Sequence, residues 1–227
     1  MTTRPSFAPG EWYHCYARGV DKRKVFISPS DYERFILALH IFNGHKGLYA
    51  SDLLRHHNFN EILSTIFQEK PLVEIGVFCL MPNHFHLVLK EVTEGGISLF
   101  MQKVLTSYTM YFNKKHERTG ALLSGTFHSK HVYDDRYFKK ICAYIHLNPI
   151  ELEEGKWKIG KGDIDTIESR LKNYRYSSLS AFVNNDNPAN ILISKSVFEI
   201  FDSPFNLREA LIEAQDYYLE HVQLVKV

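Results

Sequence analysis

Two histidines separated by one phenylalanine are the first residues of the chain that could do chemistry. His84 and His86 stand in the segment HFHLVLK, whose alternating pattern predicts a β-strand. Side chains two residues apart in a strand point to the same face, with their Cα atoms roughly 6–7 Å apart. Two neutral imidazoles at that spacing can bind one divalent metal ion. The alternative is a pair of partly buried histidines with ordinary hydrogen-bond partners.

A tyrosine and an asparagine lie four residues apart in the segment AYIHLNP. Tyr144 and Asn148 therefore share one face of a predicted helix that Pro149 ends, about 6 Å apart along its axis. The apolar stripe of this helix, marked by Phe138 and Ile145, places Tyr144 at its border, where a phenol can face a cleft. The alternative is that Tyr144 packs at a sheet edge and that Asn148 only ends the helix.

The elements that must position these four residues alternate between strands and helices. Ser30 and Glu33 predict a capping box near the start of the first helix, and Pro82-Asn83 predicts the turn of a hairpin. The order fits an α+β fold, a ferredoxin-like sandwich with an antiparallel sheet, with an added helix that carries the tyrosine. The predicted strands are 11–20, 71–80, 84–90 and 121–132, and the predicted helices are 28–42, 95–120 and 134–150.

Charge is unevenly distributed along a chain of 227 residues whose formal net charge is only +1. Residues 100–140 contain eight Lys and Arg against three Asp and Glu, whereas the chain from 201 onward contains five acids and two bases. A basic middle with an acidic end suits a polyanion bound to one face. The alternative is an ordinary solvated surface.

The three cysteines are far apart and form no CxxC pair. We expect buried, reduced thiols in a cytoplasmic protein. The sequence has neither the apolar run of a signal peptide nor about 18 uninterrupted apolar residues, so we expect neither secretion nor a membrane span.

Taken together and in order, several motifs resemble those of one family. LMPNHFHLVL is followed some 58 residues later by YIHLNP, counted from His86 to Tyr144. This pair resembles the single-tyrosine transposases of the HUH endonuclease superfamily, and especially the REP-associated tyrosine transposases. The likeness spans residues 11–183 and includes YHCYARGVDKRKVF with SDYERF, FNKKHERTGALLSGTFHSKHV and YRYSSLSAFV.

The resemblance implies roles for the four residues. His84 and His86 match the metal-binding pair, Tyr144 matches the nucleophile, and Asn148 stands where the family places a third metal ligand. The implied cofactor is Mg²⁺ or Mn²⁺, and the two imidazole nitrogens favour Mn²⁺ in vitro. A structural zinc site would instead have four closed protein ligands, often including cysteine.

The resemblance also implies a partner, single-stranded DNA with a hairpin, cut beside the foot of the hairpin. Binding it needs positive charge along the backbone and flat groups for unstacked bases. For each basic residue the alternative is a solvated surface position. The candidate DNA-binding residues are Arg18, Lys22, Arg23, Lys24, Lys103, Lys114, Lys115, Arg118, Lys130 and Lys140.

Two regions depart from the family pattern. Residues 43–71 resemble an insertion between the first helix and the second strand, and the chain after 183 does not align. We therefore predict a transposase-like domain at 1–183 and a C-terminal extension at 184–227 that is helical at 206–222. The chain is expected to act as a monomer or as a homodimer.

The predicted function is cleavage and rejoining of single-stranded DNA by a metal-dependent transposase that forms a 5′-phosphotyrosine intermediate. The phenol proton must leave during attack, and the candidates to assist are the metal ion or a nearby base, Lys140 or His146. Two alternatives stay open: a catalytically silent regulator that binds hairpin DNA or RNA, and a metal-dependent hydrolase without a covalent intermediate.

Overall fold

A four-stranded antiparallel sheet forms the centre of the part of the chain that the computed structural model describes, residues 6–44, 53, 56–65, 70–152 and 163–224. The spatial order of the strands is β2-β3-β1-β4, the order of a ferredoxin-like fold. Strands β2 and β3 form the predicted hairpin around Pro82 and Asn83. The strands are β1 Trp12–Arg18, β2 Val73–Met81, β3 His84–Glu91 and β4 His128–Val132.

Strand pairing decides which residues share a face of the sheet. Tyr16 of β1 lies directly opposite His86 of β3, and Arg18 lies opposite His84. On its other side, Tyr16 lies opposite His128 of β4. Paired residues point to the same side of a sheet, so these five side chains belong to one face.

Helices cover the opposite face, where the main core lies. The helix α1 (Pro29–Ile41) and the long helix α3 (Gly96–Lys115) pack over Phe85, whose ring lies 5.0 Å from that of Phe35. Tyr108 of α3 closes this cluster, 5.0 Å from Phe35 between ring centroids. Burial of large apolar side chains such as these favours folding.

The face that carries the histidines is only partly covered. The helix α4 (Asp135–Leu147) begins over the start of β1, where the rings of Trp12 and Phe138 lie 5.1 Å apart. Its amphipathic pattern buries Phe138 and Ile145 against the protein. The sheet near Arg18 and His128 remains exposed.

The segment after α4 bonds to the outer edge of β2. The amide of Leu80 donates to the carbonyl of Tyr176 at 2.9 Å, and the amide of Ser178 donates to the carbonyl of Phe78 at 2.9 Å. Farther along, the amide of Ser194 donates to the carbonyl of Ile75 at 2.9 Å. The further helices are α2 Phe59–Thr65, α5 Ile164–Lys172, α6 Leu179–Phe182 and α7 Leu207–Leu224.

The predicted α+β sandwich is confirmed, and one local prediction is wrong. Helix α1 is capped by Ser28 and Asp31 rather than by Ser30 and Glu33, because the Asp31 carboxylate accepts from the amides of Ile27 and Ser28 at 2.9 Å each. Residues 45–52, 54–55 and 66–69 of the predicted insertion at 43–71 lie outside the described residues. Within the described ranges, no helix is both long and apolar enough to cross a membrane.

Candidate active site

The two histidines of β3 do lie side by side on one face of the sheet. The ring centroids of His84 and His86 are 5.0 Å apart and their planes are nearly perpendicular. His86 is buried, with 6% of its surface exposed, whereas His84 is half-buried at the end of the strand. The alternation of strand side chains therefore brings both imidazoles to one place, as the sequence predicts.

Two asparagines hold His84 in a defined orientation. The Oδ1 atom of Asn83 lies 2.7 Å from Nδ1 of His84, and a carbonyl oxygen can only accept, so Nδ1 is the protonated nitrogen. The Nε2 atom of a neutral His84 then carries a lone pair. It faces Oδ1 of Asn148 at 3.5 Å, while Nδ2 of Asn148 donates to the carbonyl of Tyr144 at 2.9 Å.

A third histidine holds His86. The Nε2 atom of His14, on β1, lies 2.8 Å from Nδ1 of His86 in a buried contact. Two neutral imidazoles that share one hydrogen bond have one donor and one acceptor. When His86 Nδ1 donates, His86 Nε2 keeps its lone pair for another ligand.

The tyrosine of α4 stands over this histidine group. The ring of Tyr144 lies 5.6 Å from that of His86 and 6.5 Å from that of His14, edge to face in both cases. Half of Tyr144 is exposed (51%), although the two histidines beneath it are buried. The phenol and the imidazoles thus meet at the surface of a single chain.

Burial keeps the imidazoles neutral. Together with the nearby His14, His84 and Arg18, it lowers the pKa of His86 to about 2. Burial and the Lys130 ammonium lower the pKa of His14 to about 4. The pKa of His84 is also lowered, chiefly by burial and also by Arg18, against the opposing effects of Asn148 and Glu151. Neutral imidazoles are the form that binds a metal ion.

The predicted DNA-binding residues do not all lie near this group. Arg18 pairs with His84 across the strands, and Lys130 pairs with His14, so both side chains belong to the histidine face. Lys140 is exposed on α4, one turn before Tyr144. Lys22, Arg23 and Lys24 follow β1, where Arg23 pairs with Asp21 at 3.4 Å.

The basic residues of α3 lie on the other side of the sheet. Lys115 pairs with the fully buried Asp31 at 2.7 Å, and Lys103 donates to the carbonyl of Gly44 at 3.0 Å. Arg118, just beyond α3, donates to Asn113 at 2.8 Å. Lys114 is exposed at the end of the helix. The structure therefore does not bring these four residues to the histidine group.

His146 does not face the phenol. It is completely buried, and its Nε2 atom lies 2.9 Å from the hydroxyl of Ser178. Residues 144 and 146 point to opposite sides of a helix, so the imidazole lies in the packed interior. Between the two candidate proton acceptors, Lys140 is the one on the same helix face as Tyr144.

Comparison with known proteins identifies the region that contains this group. Residues 46–148, which include both histidines, Tyr144 and Asn148, match the family model described as "Transposase IS200 like". This part of the chain therefore resembles IS200-like transposases. The match agrees with the resemblance to insertion-sequence transposases that the motifs indicate.

A solved structure shares the fold of this chain. It is described as a REP-associated tyrosine transposase bound to a REP hairpin, and the match covers 91% of this chain and 98% of the other, with a TM-score of 0.52. The sequence identity is 12%, so the match concerns the fold. No curated protein matches the chain.

The residues of the candidate active site fit a divalent cation. In the tautomer with the proton on Nδ1, His84 Nε2 is an acceptor that faces Asn148 Oδ1 at 3.5 Å, and a cation between them would satisfy both lone pairs. Among the described residues, no group of three or more His, Cys, Asp and Glu side chains is placed to hold a metal. A site here therefore depends on the amide of Asn148 as well as on two imidazoles.

Sequence reasoning missed three rings of the candidate active site. His14 supports His86, and Tyr16 and His128 continue the row of rings on the same face, with centroids 5.4 Å apart. These residues come from β1 and β4, far from the histidine pair in sequence. The alternation of His14, Tyr16 and Arg18 in β1 was a signal that they share a face, but only strand register shows which face.

Proposed function

We propose that this chain is a transposase that cleaves and rejoins single-stranded DNA at hairpin-containing sites, with Tyr144 as its nucleophile. The observation that carries the proposal is the position of the Tyr144 ring, half exposed and 5.6 Å from the ring of His86. The family match to residues 46–148 and the fold shared with a hairpin-bound transposase support it.

In the proposed cleavage, the Tyr144 oxygen attacks phosphorus and the bond from phosphorus to the 3′ oxygen breaks. The products are a 5′-phosphotyrosine and a free 3′-hydroxyl, and the phenol proton is lost to a base while the leaving oxygen gains a proton. In rejoining, a 3′-hydroxyl attacks the phosphotyrosine and Tyr144 is released. The phosphodiester bond energy is conserved in the covalent link, so no ATP is needed.

The ligands for the proposed metal ion are Nε2 of His84, Nε2 of His86 and Oδ1 of Asn148. Such an ion, Mg²⁺ or Mn²⁺, would polarise the phosphate and orient it for in-line attack. Two other side chains of the protein orient these imidazoles. Asn83 fixes the protonated nitrogen of His84, and His14 accepts from Nδ1 of His86 in the tautomer that leaves Nε2 for the ion.

Two cations are placed to hold the DNA backbone near the phenol. Arg18 is exposed beside His84, and Lys130 is exposed beside His14. A guanidinium can bind a phosphate through two parallel hydrogen bonds, and an ammonium attracts it as a point charge.

We assign residues 1–183 to the catalytic domain and residues 184–227 to an extension. The extension packs on the rest of the chain, since its buried residue Val197 belongs to the main core.

The test is a covalent-adduct assay. A 3′-labelled hairpin DNA with single-stranded tails is incubated with the protein and Mn²⁺, then denatured and separated by size, because a 5′-phosphotyrosine retains the 3′ fragment. We expect a protein–DNA band with the wild type, none with Tyr144→Phe, and a normal band with Tyr133→Phe, whose tyrosine is exposed at the far end of β4.

The other outcomes separate the alternatives. Cleavage without an adduct would indicate a hydrolase, and binding without cleavage would indicate a silent regulator. An undiminished adduct in Tyr144→Phe would refute the assignment of the nucleophile. DNA binding of Tyr144→Phe, measured by fluorescence anisotropy, should match that of the wild type, because the substitution removes only the hydroxyl.

A further inference from the structure

Three aromatic rings form a row across the sheet, leading from the candidate active site to the edge strand. His86, Tyr16 and His128 lie on β3, β1 and β4, and they are direct register partners. Ring centroids are 5.9 Å apart for His86 and Tyr16 and 5.4 Å apart for Tyr16 and His128. Their planes are inclined by only 33° and 28°, so each ring partly faces the next.

The outer end of this row is open. His128 is exposed and Tyr16 is half-buried, while His86 at the inner end is buried. Strand β4 is the edge of the sheet in the described structure, so no strand there pairs with its outer side. A flat group can therefore continue the row beyond His128 at the spacing that the strands impose.

The charges around the row match a nucleic-acid backbone. Arg18 and Lys130 are exposed on the same face, one on each side of the Tyr16–His128 pair along the strands. Strands β1 and β4 place no carboxylate on this face. Flat rings between cations are the combination that holds single strands, because bases stack on the rings and phosphates contact the cations.

We propose that Tyr16 and His128 form a stacking platform for an unpaired base of the DNA substrate, next to the phosphate that Tyr144 attacks. The inference rests on the proposed function and extends it to a subsite for one nucleotide flanking the cut. The platform accepts any base, because every base has an aromatic face. It therefore contributes to affinity and to placement of the strand rather than to sequence choice.

The test measures binding without cleavage. The probe is a DNA hairpin with single-stranded tails that carries 2-aminopurine at one tail position at a time, and the protein is Tyr144→Phe without added metal. One position should show fluorescence quenching on binding, because stacking quenches this base. His128→Ala in the same background should remove that quenching and raise the dissociation constant by roughly 5-fold or more.

Two controls and one substitution in the DNA sharpen the result. Tyr133→Ala removes an exposed ring at the opposite end of β4 and should leave both quenching and affinity unchanged. Tyr16→Leu should act like His128→Ala, and circular dichroism checks that each variant is folded. An abasic site at the quenched position should weaken binding to the wild-type platform and have no further effect in His128→Ala.

The outcomes of this test differ from those of the adduct assay. Quenching that persists in both His128→Ala and Tyr16→Leu would overturn the platform even where the wild type forms a covalent adduct. Loss of quenching in those variants would support the platform even where no adduct forms. Equal effects of Tyr133→Ala and His128→Ala would also overturn it, since nonspecific contacts would then explain the binding.

Discussion

The Nε2 atom of His84 lies 3.5 Å from the Oδ1 atom of Asn148, and both atoms are acceptors when Nδ1 of His84 carries the proton. Each is held there by its other polar atom, since Nδ1 of His84 contacts Asn83 and Nδ2 of Asn148 contacts the carbonyl of Tyr144. Two lone pairs facing each other repel unless something positive or a donor lies between them. The last turn of α4 thus fixes Asn148 and the backbone of Tyr144 together.

Alanine variants of the three proposed ligands should lose Mn²⁺ affinity to different extents. We expect His84→Ala and His86→Ala to abolish measurable Mn²⁺ binding in isothermal titration calorimetry. Asn148→Ala should weaken binding less, because a neutral amide is a weaker ligand than an imidazole for this ion. The control is His131→Ala, whose exposed side chain points to the other face and pairs with Glu11. Equal Mn²⁺ affinity of the wild type and His86→Ala would refute the proposed metal site.

His14 should act on the metal ion through His86. His14→Phe keeps a ring in the same place but lacks an acceptor for Nδ1–H of His86. Losing such a supporting hydrogen bond typically lowers metal affinity by about 10- to 100-fold. The readout is Mn²⁺ titration, and nitrogen NMR of labelled histidine should show a change in the tautomer of His86. An unchanged tautomer together with unchanged affinity would refute the role of His14.

The catalytic group should be complete within one chain, because Tyr144 lies over His86 of the same molecule. Mixing Tyr144→Phe with His86→Ala should therefore not restore the adduct. A chain that delivered its tyrosine to a partner would recover activity in this mixture. Recovery above the sum of the two separate variants would contradict the arrangement described above.

The free energy of unfolding of the metal-free protein should fall in mildly acidic solution. The unfolded chain protonates its histidines near pH 6.5, whereas burial lowers the pKa of His146 to about 3 and that of His14 to about 4 in the folded protein. As the pH falls from about 6.5 towards 4, only the unfolded state gains these protons, which favours unfolding. Each buried histidine costs up to about 1.4 kcal/mol per pH unit in this window.

Urea unfolding of the metal-free protein between pH 7 and 5 measures this effect. The slope of the free energy of unfolding against pH should be smaller in His14→Phe than in the wild type. His131→Gln, changed at an exposed position, should keep the wild-type slope. A wild-type free energy that is constant over this range would contradict the neutral state of the buried histidines.

The local parts of the site could be predicted from the sequence, whereas contacts between distant segments could not. Alternation in β3 places His84 and His86 on one face, and helical periodicity places Tyr144 at the border of its apolar stripe. His14 and His86 are 72 residues apart in the sequence, and their contact depends on the register of the two strands that carry them. A single sequence contains no direct signal for such a register.

Charge was also a poor guide to the site. Lys115 belongs to the basic stretch assigned to DNA, yet it pairs with buried Asp31, the residue that caps α1. The capping prediction failed because two pairs of a serine and an acidic residue have the same spacing. These pairs are Ser28 with Asp31 and Ser30 with Glu33. Only packing against α3 decides which pair is buried.

The hydrogen bonds from Tyr176, Ser178 and Ser194 to β2 have a consequence for the folding of a newly made chain. An open strand edge can recruit a strand from a neighbouring molecule and so begin aggregation. Here the covering residues are made about 100 residues after β2, so the growing polypeptide carries an unprotected edge for much of its synthesis. A chain truncated before Tyr174 would keep that edge permanently and should precipitate rather than accumulate as a monomer.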